Sequence, residues 1–395
     1  MVPLSRSVPE LQAAGWDDGW TAVFVAAVQD GLGASSHPSS EGDGEPVPGR
    51  VVRADRGGAL VLLAPAVGEE ASAGVGRLVT VQAPWGPALA AAVAHDPTRI
   101  PAAGDWVVLG ASPGVGGRRT IMQVLPRRTA VVRLQASQGS SRGQVLAANV
   151  DVVVVVEAMT PDLEPARLER LLALAWSSGA RPVVVLTKAD LVASPQDLVD
   201  DVTDLAPGVE VLAVAALAGQ GLEPLRAALA DGSSIALLGA SGAGKSTLLN
   251  ALVGSGGEPG EVMRTRPPRT DGKGRHTTVT RELHLAPDGG AVLDTPGLRS
   301  VGLLGHQSLD EVFAEVDELA GDCRFDDCTH GCEPGCAVLT VVEEGRLPER
   351  RLASYRKLLR EAEYQASRVD ARLRAERAGR WRRIHREQRR QGNRP

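Results

Sequence analysis

The sequence contains very little lysine. Only four of its 43 basic residues are lysine, at positions 188, 245, 273 and 357, and all the others are arginine. A general drift from lysine to arginine explains this bias, so each remaining lysine indicates a place where a planar guanidinium does not fit. Aromatic residues are also scarce, at 3%, which argues against base stacking as the main way of contacting nucleic acid.

Long apolar runs and a leader segment are missing as well. No stretch of about 18 consecutive apolar residues occurs, which excludes a membrane-spanning helix. The first 20 residues do not combine a basic segment with an apolar one, as a signal peptide would. The hydrophobic content of 43% nevertheless suffices for sizeable cores, so a wholly disordered chain is excluded too. We expect a cytoplasmic protein that makes no membrane contact.

Hydrophobic patterning predicts a multidomain chain. Short strand-like segments bounded by glycine, proline or aspartate follow residue 49 and predict an OB-like β-barrel. A nearly continuous β-branched run at 152–156 is typical of a parallel strand that is buried on both faces. Strands and helices alternate after it, which predicts a doubly wound α/β domain. The predicted regions are an N-terminal extension and linker (1–48), the OB-like barrel (49–135), the α/β domain (145–302), a helical cysteine-containing domain (303–365) and a basic tail (366–395).

The segment GASGAGKST, residues 239–247, predicts a phosphate loop. It matches G-x-x-x-x-G-K-[ST] between a predicted strand and a predicted helix, which is the context that this motif requires. Its glycines allow backbone N–H groups to surround the β-phosphate, Lys245 spans the β- and γ-phosphates, and Ser246 offers a hydroxyl to Mg²⁺. The predicted nucleotide-binding residues in this phosphate loop are Gly239, Ala240, Ser241, Gly242, Ala243, Gly244, Lys245, Ser246 and Thr247.

A second segment, TKAD at residues 187–190, indicates which base is bound. It resembles the guanine-binding NKxD motif of GTPases, with Thr187 in place of asparagine and followed by Lys188, Ala189 and Asp190. Asp190 can accept hydrogen bonds from guanine N1–H and the 2-amino group, and adenine lacks both donors. TKAD therefore predicts GTP rather than ATP as the nucleotide.

The segment VAALAGQGL, residues 214–222, resembles the SAxxGxG motif of GTPases. That motif places a backbone N–H group on guanine O6. Ala215 replaces the usual serine, which removes only a side-chain hydroxyl, so the amide of Ala216 can still serve. A simple loop from a strand to a helix is the alternative interpretation.

Two further segments are candidates for sensing the γ-phosphate. In DTPG, residues 294–297, Asp294 is expected to hold Mg²⁺ through water, and the Gly297 amide is expected to contact the γ-phosphate. In GKGRHTT, residues 272–278, a threonine is expected to bind Mg²⁺ and to order a switch when GTP is bound. Thr278 is the preferred threonine, and Thr277 is the alternative.

The catalytic residue is predicted to be His276. Many GTPases orient the attacking water with a glutamine just after DxxG, but this chain has Leu298 there, and an apolar side chain cannot hold water. His276 stands beside the switch threonines and, as a neutral imidazole, can orient or deprotonate water. A solvated loop histidine is the alternative interpretation.

These motifs stand in an unusual order. Ordinary GTPases run from the phosphate loop through the switch threonine and DxxG to NKxD and SA, whereas TKAD and the 214–222 segment come first here. The motifs keep the same cyclic order, but the chain begins and ends at a different point in it. Such a circular permutation is feasible where chain ends lie close in space. With GDWV at 104–107 and a cysteine segment after the α/β domain, the chain resembles the RsgA family of circularly permuted GTPases over about residues 49–365.

The resemblance implies a fold, an activity and partners. The expected fold is an OB-like barrel, a circularly permuted α/β P-loop GTPase domain and a zinc-binding helical domain. The expected activity is hydrolysis of GTP to GDP and phosphate, stimulated by the small (30S) ribosomal subunit during its late maturation. The expected partners are GTP, GDP, the 30S subunit and its 16S rRNA, and the expected state is a monomer. The same resemblance suggests the catalytic role of His276.

The four cysteines all fall within one short stretch, CRFDDCTHGCEPGC at residues 323–336. In a long cytosolic chain, such a cluster indicates metal more than disulfides. A set of four with the spacing Cys-x4-Cys-x-His-x5-Cys suits a closed, structural, tetrahedral Zn²⁺ site and matches the motif of the family. Four cysteines, with Cys332 replacing the histidine, and an Fe–S cluster are the alternatives. The preferred ligands are Cys323, Cys328, His330 and Cys336.

Ribosome contact is predicted from three parts of the chain: the barrel, the zinc module and the tail. Residues 368–394 carry eleven arginines and three acids, which favours contacts to rRNA phosphates; a merely solvated tail is the alternative.

Two rival functions stay open. One is a P-loop ATPase or kinase, against which TKAD argues, and the other is a zinc- and RNA-binding GTP sensor with negligible turnover, which Leu298 permits.

Overall fold

The computed structural model describes residues 8–33, 45–65, 78–111, 119–137, 140–160, 163–254, 281–295 and 307–369. Two compact units make up the chain: residues 1–132 with 145–299, and residues 133–144 with 300–395. Across the described ranges, every helix is too short or too polar to cross a membrane.

Two helices open the first unit, α1 (Val8–Gln12) and α2 (Asp18–Gly33). The second is capped because Asp17 Oδ1 accepts a hydrogen bond from the Trp20 amide at 2.7 Å. The apolar residues around these helices form one cluster with a sheet, in which the Trp16 and Trp106 rings meet edge to face at 4.7 Å. The predicted N-terminal extension therefore contributes to the core of the first unit.

A five-stranded antiparallel sheet follows in the first unit. Its strands are β1 (Val47–Asp55), β2 (Gly58–Leu63), β3 (Val79–Pro84), β4 (Trp106–Ala111) and β5 (Arg119–Val124), in the order β3-β2-β1-β4-β5, with α3 (Pro87–His95) between β3 and β4. Alternating side chains supply two cores. Val52, Leu62 and Val108 pack with the N-terminal helices, whereas Val61, Leu109 and Ile121 belong to the second core. A parallel bridge joins Trp85, just after β3, to Ile121 in β5.

A two-stranded ribbon, β6 (Ala130–Ser137) and β7 (Ser140–Ala148), precedes the six-stranded sheet. The larger sheet has the order β10-β9-β8-β11-β13-β12, and only β12 runs antiparallel. It is the sheet that the alternating pattern predicts. Its strands are β8 (Val152–Ala158), β9 (Arg181–Thr187), β10 (Glu210–Val214), β11 (Ser234–Gly239), β12 (Glu282–Leu285) and β13 (Ala291–Asp294), and its helices are α4 (Pro165–Ser177), α5 (Pro195–Leu205), α6 (Glu223–Ala230) and α7 (Lys245–Val253).

Because β8, β9, β11 and β13 are parallel, their carboxyl ends lie at one edge of the sheet. The register confirms this, since Gly239 at the end of β11 pairs with Val156, and Asp294 at the end of β13 pairs with Leu237. Ligands of open α/β sheets bind in the crevice outside such carboxyl ends. The fold thus brings the phosphate loop, TKAD and the start of DTPG to one edge.

A buried arginine ties parts of the first unit together. Arg50 is only 1% exposed, and its Nη2 donates to Ser234 Oγ at 2.8 Å and to the Asn149 carbonyl oxygen at 3.1 Å. Its Nη1 donates to the carbonyl oxygen of Ala14. The N-terminal segment, the five-stranded sheet and the six-stranded sheet are therefore joined by one side chain, and buried cations require such full satisfaction.

The second unit is helical in its C-terminal part. Its helices are α8 (Gln307–Val312), α9 (Ala314–Ala320), α10 (Ala337–Glu343) and α11 (Glu349–Val369). Arg351 lies 4.4 Å over the Phe313 ring and donates to Glu315 Oε1 at 2.6 Å, which joins α11 to the α8–α9 segment. The buried apolar residues of this unit include Leu309, Phe313, Val316, Val338, Leu352 and Leu358.

Candidate functional site

The phosphate loop connects β11 directly to α7. Gly242 and Gly244 have φ angles of 86° and 94°, in the left-handed region that favours glycine. A Cβ on Gly244 would lie 3.0 Å from Thr187 Oγ1, so a larger residue is excluded both by backbone strain and by crowding. This is the local geometry that turns backbone N–H groups toward a bound anion at a helix N-terminus.

Lys245 is held at the base of this loop. It is 8% exposed, and its Nζ donates to the carbonyl oxygens of Gly239 and Ala240, each at 2.9 Å. Burial lowers the pKa of Lys245, while the carboxylates of Asp294 and Glu157 act in the opposite direction. The ammonium group is thus placed among acceptors and negative charge, as a phosphate-binding lysine requires.

TKAD is bonded to the phosphate loop. Thr187 is buried, and its Oγ1 lies 2.6 Å from the Ala243 carbonyl oxygen and 3.3 Å from that of Glu157. Lys188 adopts a left-handed backbone conformation with φ of 61° and donates from Nζ to the Thr160 carbonyl oxygen at 3.2 Å. Its aliphatic stem is therefore fixed in place, and Asp190, two residues on, is exposed.

The 214–222 segment lies beside TKAD, because Val214 at the end of β10 pairs with Thr187 at the end of β9. Two backbone hydrogen bonds close its loop: the Ala215 amide donates to Gln220 at 3.1 Å, and the Gln220 amide donates to Ala215 at 3.2 Å. Ala216 follows directly and packs against the sheet core. The loop is therefore a fixed turn at the same edge as TKAD.

Asp294 places an unpartnered carboxylate oxygen at this edge. The residue is 3% exposed, and within the described ranges its Oδ1 is buried without a hydrogen-bond partner. Burial raises the pKa of Asp294 to about 6, against the opposing effect of Lys245. A buried orphan oxygen next to a lysine is costly unless something binds it, and Mg²⁺ favours carboxylate oxygen. Asp294 and the hydroxyl of Ser246, in the first turn of α7, therefore suit a magnesium ion that accompanies a nucleotide.

Glu157 also lies at this edge, although no motif in the sequence marks it. Glu157 ends the valine run of β8, is fully buried, and pairs with Arg167, whose Nε and Nη2 each donate to one carboxylate oxygen at 2.7 Å. Its charge also acts on Lys245. A single acid that closes an otherwise apolar strand was the available signal.

The structure does not describe the residues that are predicted to act in catalysis and in sensing the γ-phosphate. His276, Thr277, Thr278, Gly297 and Leu298 lie outside the described residues. Their roles stay predictions.

A second candidate site lies in the second unit. The ligand atoms of Cys323, Cys328, His330 and Cys336 all lie within 4.8 Å of one another. The Sγ atoms of Cys323 and Cys336 are 3.8 Å apart, and His330 Nδ1 lies 3.7 Å and 3.5 Å from them, respectively. Tetrahedral zinc, with Zn–S of about 2.3 Å and Zn–N of about 2.0–2.1 Å, implies separations of about 3.8 Å and about 3.5 Å. A disulfide needs about 2.05 Å, so these cysteines form a cluster that is compatible with zinc.

Cys332 is not part of this cluster. It is exposed, whereas His330 is 4% exposed and Cys336 is 3% exposed. The structure therefore brings together the Cys3His set and not the alternative set of four cysteines.

Comparison with known proteins finds a matching family and relatives that share its description. A family described as RsgA GTPase matches residues 124–304. The chain is 48% identical to the small ribosomal subunit biogenesis GTPase RsgA of Streptomyces coelicolor, over 93% of this chain and 90% of the relative. It is 46% identical to the protein of the same description from Streptomyces avermitilis, over 96% of this chain and 93% of the relative.

Two solved structures are similar to the chain as well. YjeQ from Thermotoga maritima is similar with a TM-score of 0.54 and 25% identity, over 80% of this chain and 98% of that one. YloQ, described as a circularly permuted GTPase, is similar with a TM-score of 0.54 and 21% identity, over 84% of this chain and 99% of that one. The second likeness shows a shared fold.

Proposed function

The chain belongs to the RsgA family of GTPases, and on that premise we propose that it hydrolyses GTP on the small ribosomal subunit during late maturation of that subunit. The observation that carries the proposal is the meeting of Lys245, TKAD and the orphan Asp294 oxygen at one edge of the six-stranded sheet. A carboxylate that accepts from guanine N1–H and the 2-amino group beside a phosphate loop favours GTP over ATP as the nucleotide.

Nucleotide binding follows from this geometry. The β- and γ-phosphate oxygens replace the Gly239 and Ala240 carbonyl oxygens as acceptors for Lys245 Nζ. The exposed Asp190 accepts from guanine N1–H and the 2-amino group, and the Ala216 amide donates to O6. Lys188, whose Nζ is already engaged by Thr160, lays its stem along the base.

Magnesium is held by this chain's own oxygen atoms. Ser246 would supply a hydroxyl, Asp294 would hold the ion through a water bound to its unpartnered Oδ1, and Thr278 would complete the set, with Thr277 as the alternative. When bound, the ion neutralises charge on the β- and γ-phosphates. His276 then orients the attacking water, and the Gly297 amide senses the γ-phosphate.

One structural zinc ion is held by Cys323, Cys328, His330 and Cys336. The separations among Cys323, His330 and Cys336 match tetrahedral geometry, and the ligand atom of Cys328 lies within 4.8 Å of theirs, which supports this assignment. The ion fixes the segment between α9 and α10, which has few other buried side chains.

The five-stranded sheet is proposed to close as an OB-like barrel. The bridge between Trp85 and Ile121 supports closure, because it joins the two edge strands of the order β3-β2-β1-β4-β5.

The barrel, the zinc module and the arginine-rich tail contact 16S rRNA mainly through phosphates. The protein acts as a cytoplasmic monomer with domains close to the predicted boundaries.

GTP turnover with and without purified 30S subunits tests the proposal. We expect the rate at saturating GTP to rise strongly with 30S subunits and to stay at its basal value with 50S subunits. Competition of GTP and ATP for a fluorescent guanine nucleotide, run in parallel, is expected to show displacement by GTP only. A flat response to 30S subunits together with tight GTP binding would instead establish the GTP sensor, and displacement by ATP would establish the ATPase.

A further inference from the structure

The side chain of Glu333 folds back over the loop that carries a zinc ligand. Its Oε1 accepts hydrogen bonds from the Thr329 amide at 3.1 Å and from Thr329 Oγ1 at 2.5 Å. Its Oε2 accepts from the amides of Gly331 at 2.6 Å and Cys332 at 3.0 Å. One carboxylate therefore binds four donors that lie on both sides of His330.

His330 needs this support because its backbone is unusual. Its φ of 53° is in the left-handed region, which residues with a Cβ seldom adopt unless the surroundings determine it. The conformation turns the imidazole inward, so that Nδ1 lies 3.5 Å from Cys336 Sγ. The four donors around it, which belong to the three residues Thr329, Gly331 and Cys332, all bind Glu333.

The same hydrogen bonds keep a competing ligand away. Cys332 is two residues after His330, is exposed and has its amide bound by Glu333. Thiolate and imidazole are both good zinc ligands, so chemistry alone does not decide between them. The loop ends at a backbone hydrogen bond, in which the Gly335 carbonyl oxygen accepts from the Arg324 amide at 3.0 Å. Within this loop, Glu333 binds the amides on both sides of His330, and outside it the Tyr355 ring lies 6.2 Å from the imidazole ring.

We propose that Glu333 is a positioning residue that selects His330 rather than Cys332 as the fourth zinc ligand. The inference rests on the zinc site proposed above. Without the carboxylate, the loop relaxes, the imidazole leaves the cluster, and Cys332 binds in its place as its thiol gives up a proton to solvent. The charge of the site then changes from −1 for three thiolates around Zn²⁺ to −2 for four.

Cobalt substitution of the full chain tests this directly. Co²⁺ in a tetrahedral site absorbs differently with three thiolates and one imidazole than with four thiolates. We expect the unchanged chain, Cys332→Ser and the exposed control Glu344→Ala to share the three-thiolate spectrum. Glu333→Ala is expected to show the four-thiolate spectrum, and adding Cys332→Ser to it is expected to abolish that shift. Zinc affinity of Glu333→Ala, measured by chelator competition, is expected to fall by about 10- to 100-fold.

The less disruptive Glu333→Gln keeps the side-chain size and one acceptor oxygen, and it carries the test if Glu333→Ala does not fold. We expect a mixture of the two spectra for it. The proposal is overturned if both Glu333 variants keep the three-thiolate spectrum, or if the shift persists without Cys332. If the chain took up no Co²⁺ or Zn²⁺, the proposed zinc site itself would be wrong. If the unchanged chain showed the four-thiolate spectrum, the zinc site would be supported, but Glu333 would not select His330.

Discussion

Thr187 Oγ1 lies 2.6 Å from the carbonyl oxygen of Ala243, so TKAD is bonded directly to the phosphate loop. Both residues are nearly fully buried, and the missing Cβ of Gly244 leaves just enough room for the threonine. The segments predicted to bind guanine and phosphate are therefore joined by a buried hydrogen bond, although 56 residues separate Thr187 and Ala243 along the chain.

Thr187→Val tests this link. Valine has the shape of threonine but no hydroxyl, so the Ala243 carbonyl oxygen loses a buried hydrogen bond, which costs about 1–2 kcal/mol. We expect affinity for both GTP and GDP to fall by about 5- to 30-fold, as measured by titration of a fluorescent guanine nucleotide. Thr187→Ser keeps the hydroxyl and is expected to bind nearly as the unchanged chain does. Equal affinities for the Val and Ser variants would contradict the link.

Lys245 offers a test of why lysine remains in an arginine-rich chain. A guanidinium cannot occupy the narrow position between the Gly239 and Ala240 carbonyl oxygens, where Nζ makes two bonds of 2.9 Å. We expect Lys245→Arg and Lys245→Met to weaken GTP binding alike, by about 100-fold, which is about 2.7 kcal/mol or the size of one hydrogen bond to a charged group.

Lys357 provides the matched control for that comparison. It is exposed on α11, so Lys357→Arg is expected to leave nucleotide affinity unchanged in the same titration. If Lys245→Arg also bound GTP normally, the remaining lysines would carry no information about the site.

The sequence predicts the parts of the site that depend on local backbone. The phosphate loop needs glycine at fixed offsets, as Gly242 and Gly244 show with φ of 86° and 94°, and such needs are visible in a short motif. The sequence also predicts the five parallel strands of the six-stranded sheet, because a valine run such as that of β8 is typical of a doubly buried strand, but it does not predict the antiparallel edge strand β12.

The remaining features depend on partners that are distant along the chain. Arg50 meets Ser234 across 184 residues, and no spacing rule connects them. The burial of the Trp16 ring against Trp106 also follows from tertiary packing and not from local pattern. Spacing preferred His330 as a zinc ligand but left Cys332 as an alternative, and only the fold shows that His330 is 4% exposed whereas Cys332 is exposed.

Trp16→Ala tests whether the N-terminal segment is part of the core. Trp16 is 3% exposed, contacts the Trp106 ring and donates from Nε1 to Thr21 Oγ1 at 2.8 Å. Removing a buried tryptophan costs about 3–5 kcal/mol, and we expect a loss of this size in urea unfolding followed by circular dichroism. Leu217→Ala, at a side chain that is 89% exposed, is the control and is expected to change stability by less than about 0.5 kcal/mol. A similarly small loss for Trp16→Ala would mean that the segment is only an appendage.

His276→Ala tests the source of hydrolysis. Leu298 cannot hold the attacking water, so the predicted role falls to the imidazole beside the switch threonines. We expect the variant to bind GTP with unchanged affinity, because none of the nucleotide-binding groups at the sheet edge is altered. Turnover stimulated by 30S subunits is expected to fall by about 100- to 10,000-fold, the usual contribution of a positioned acid–base group. His95→Ala, at an exposed position on α3, controls for loss of a histidine as such. If stimulated turnover survived in His276→Ala, this histidine would be an ordinary loop residue, and the group that positions water would have to come from another part of the chain or from the ribosomal subunit.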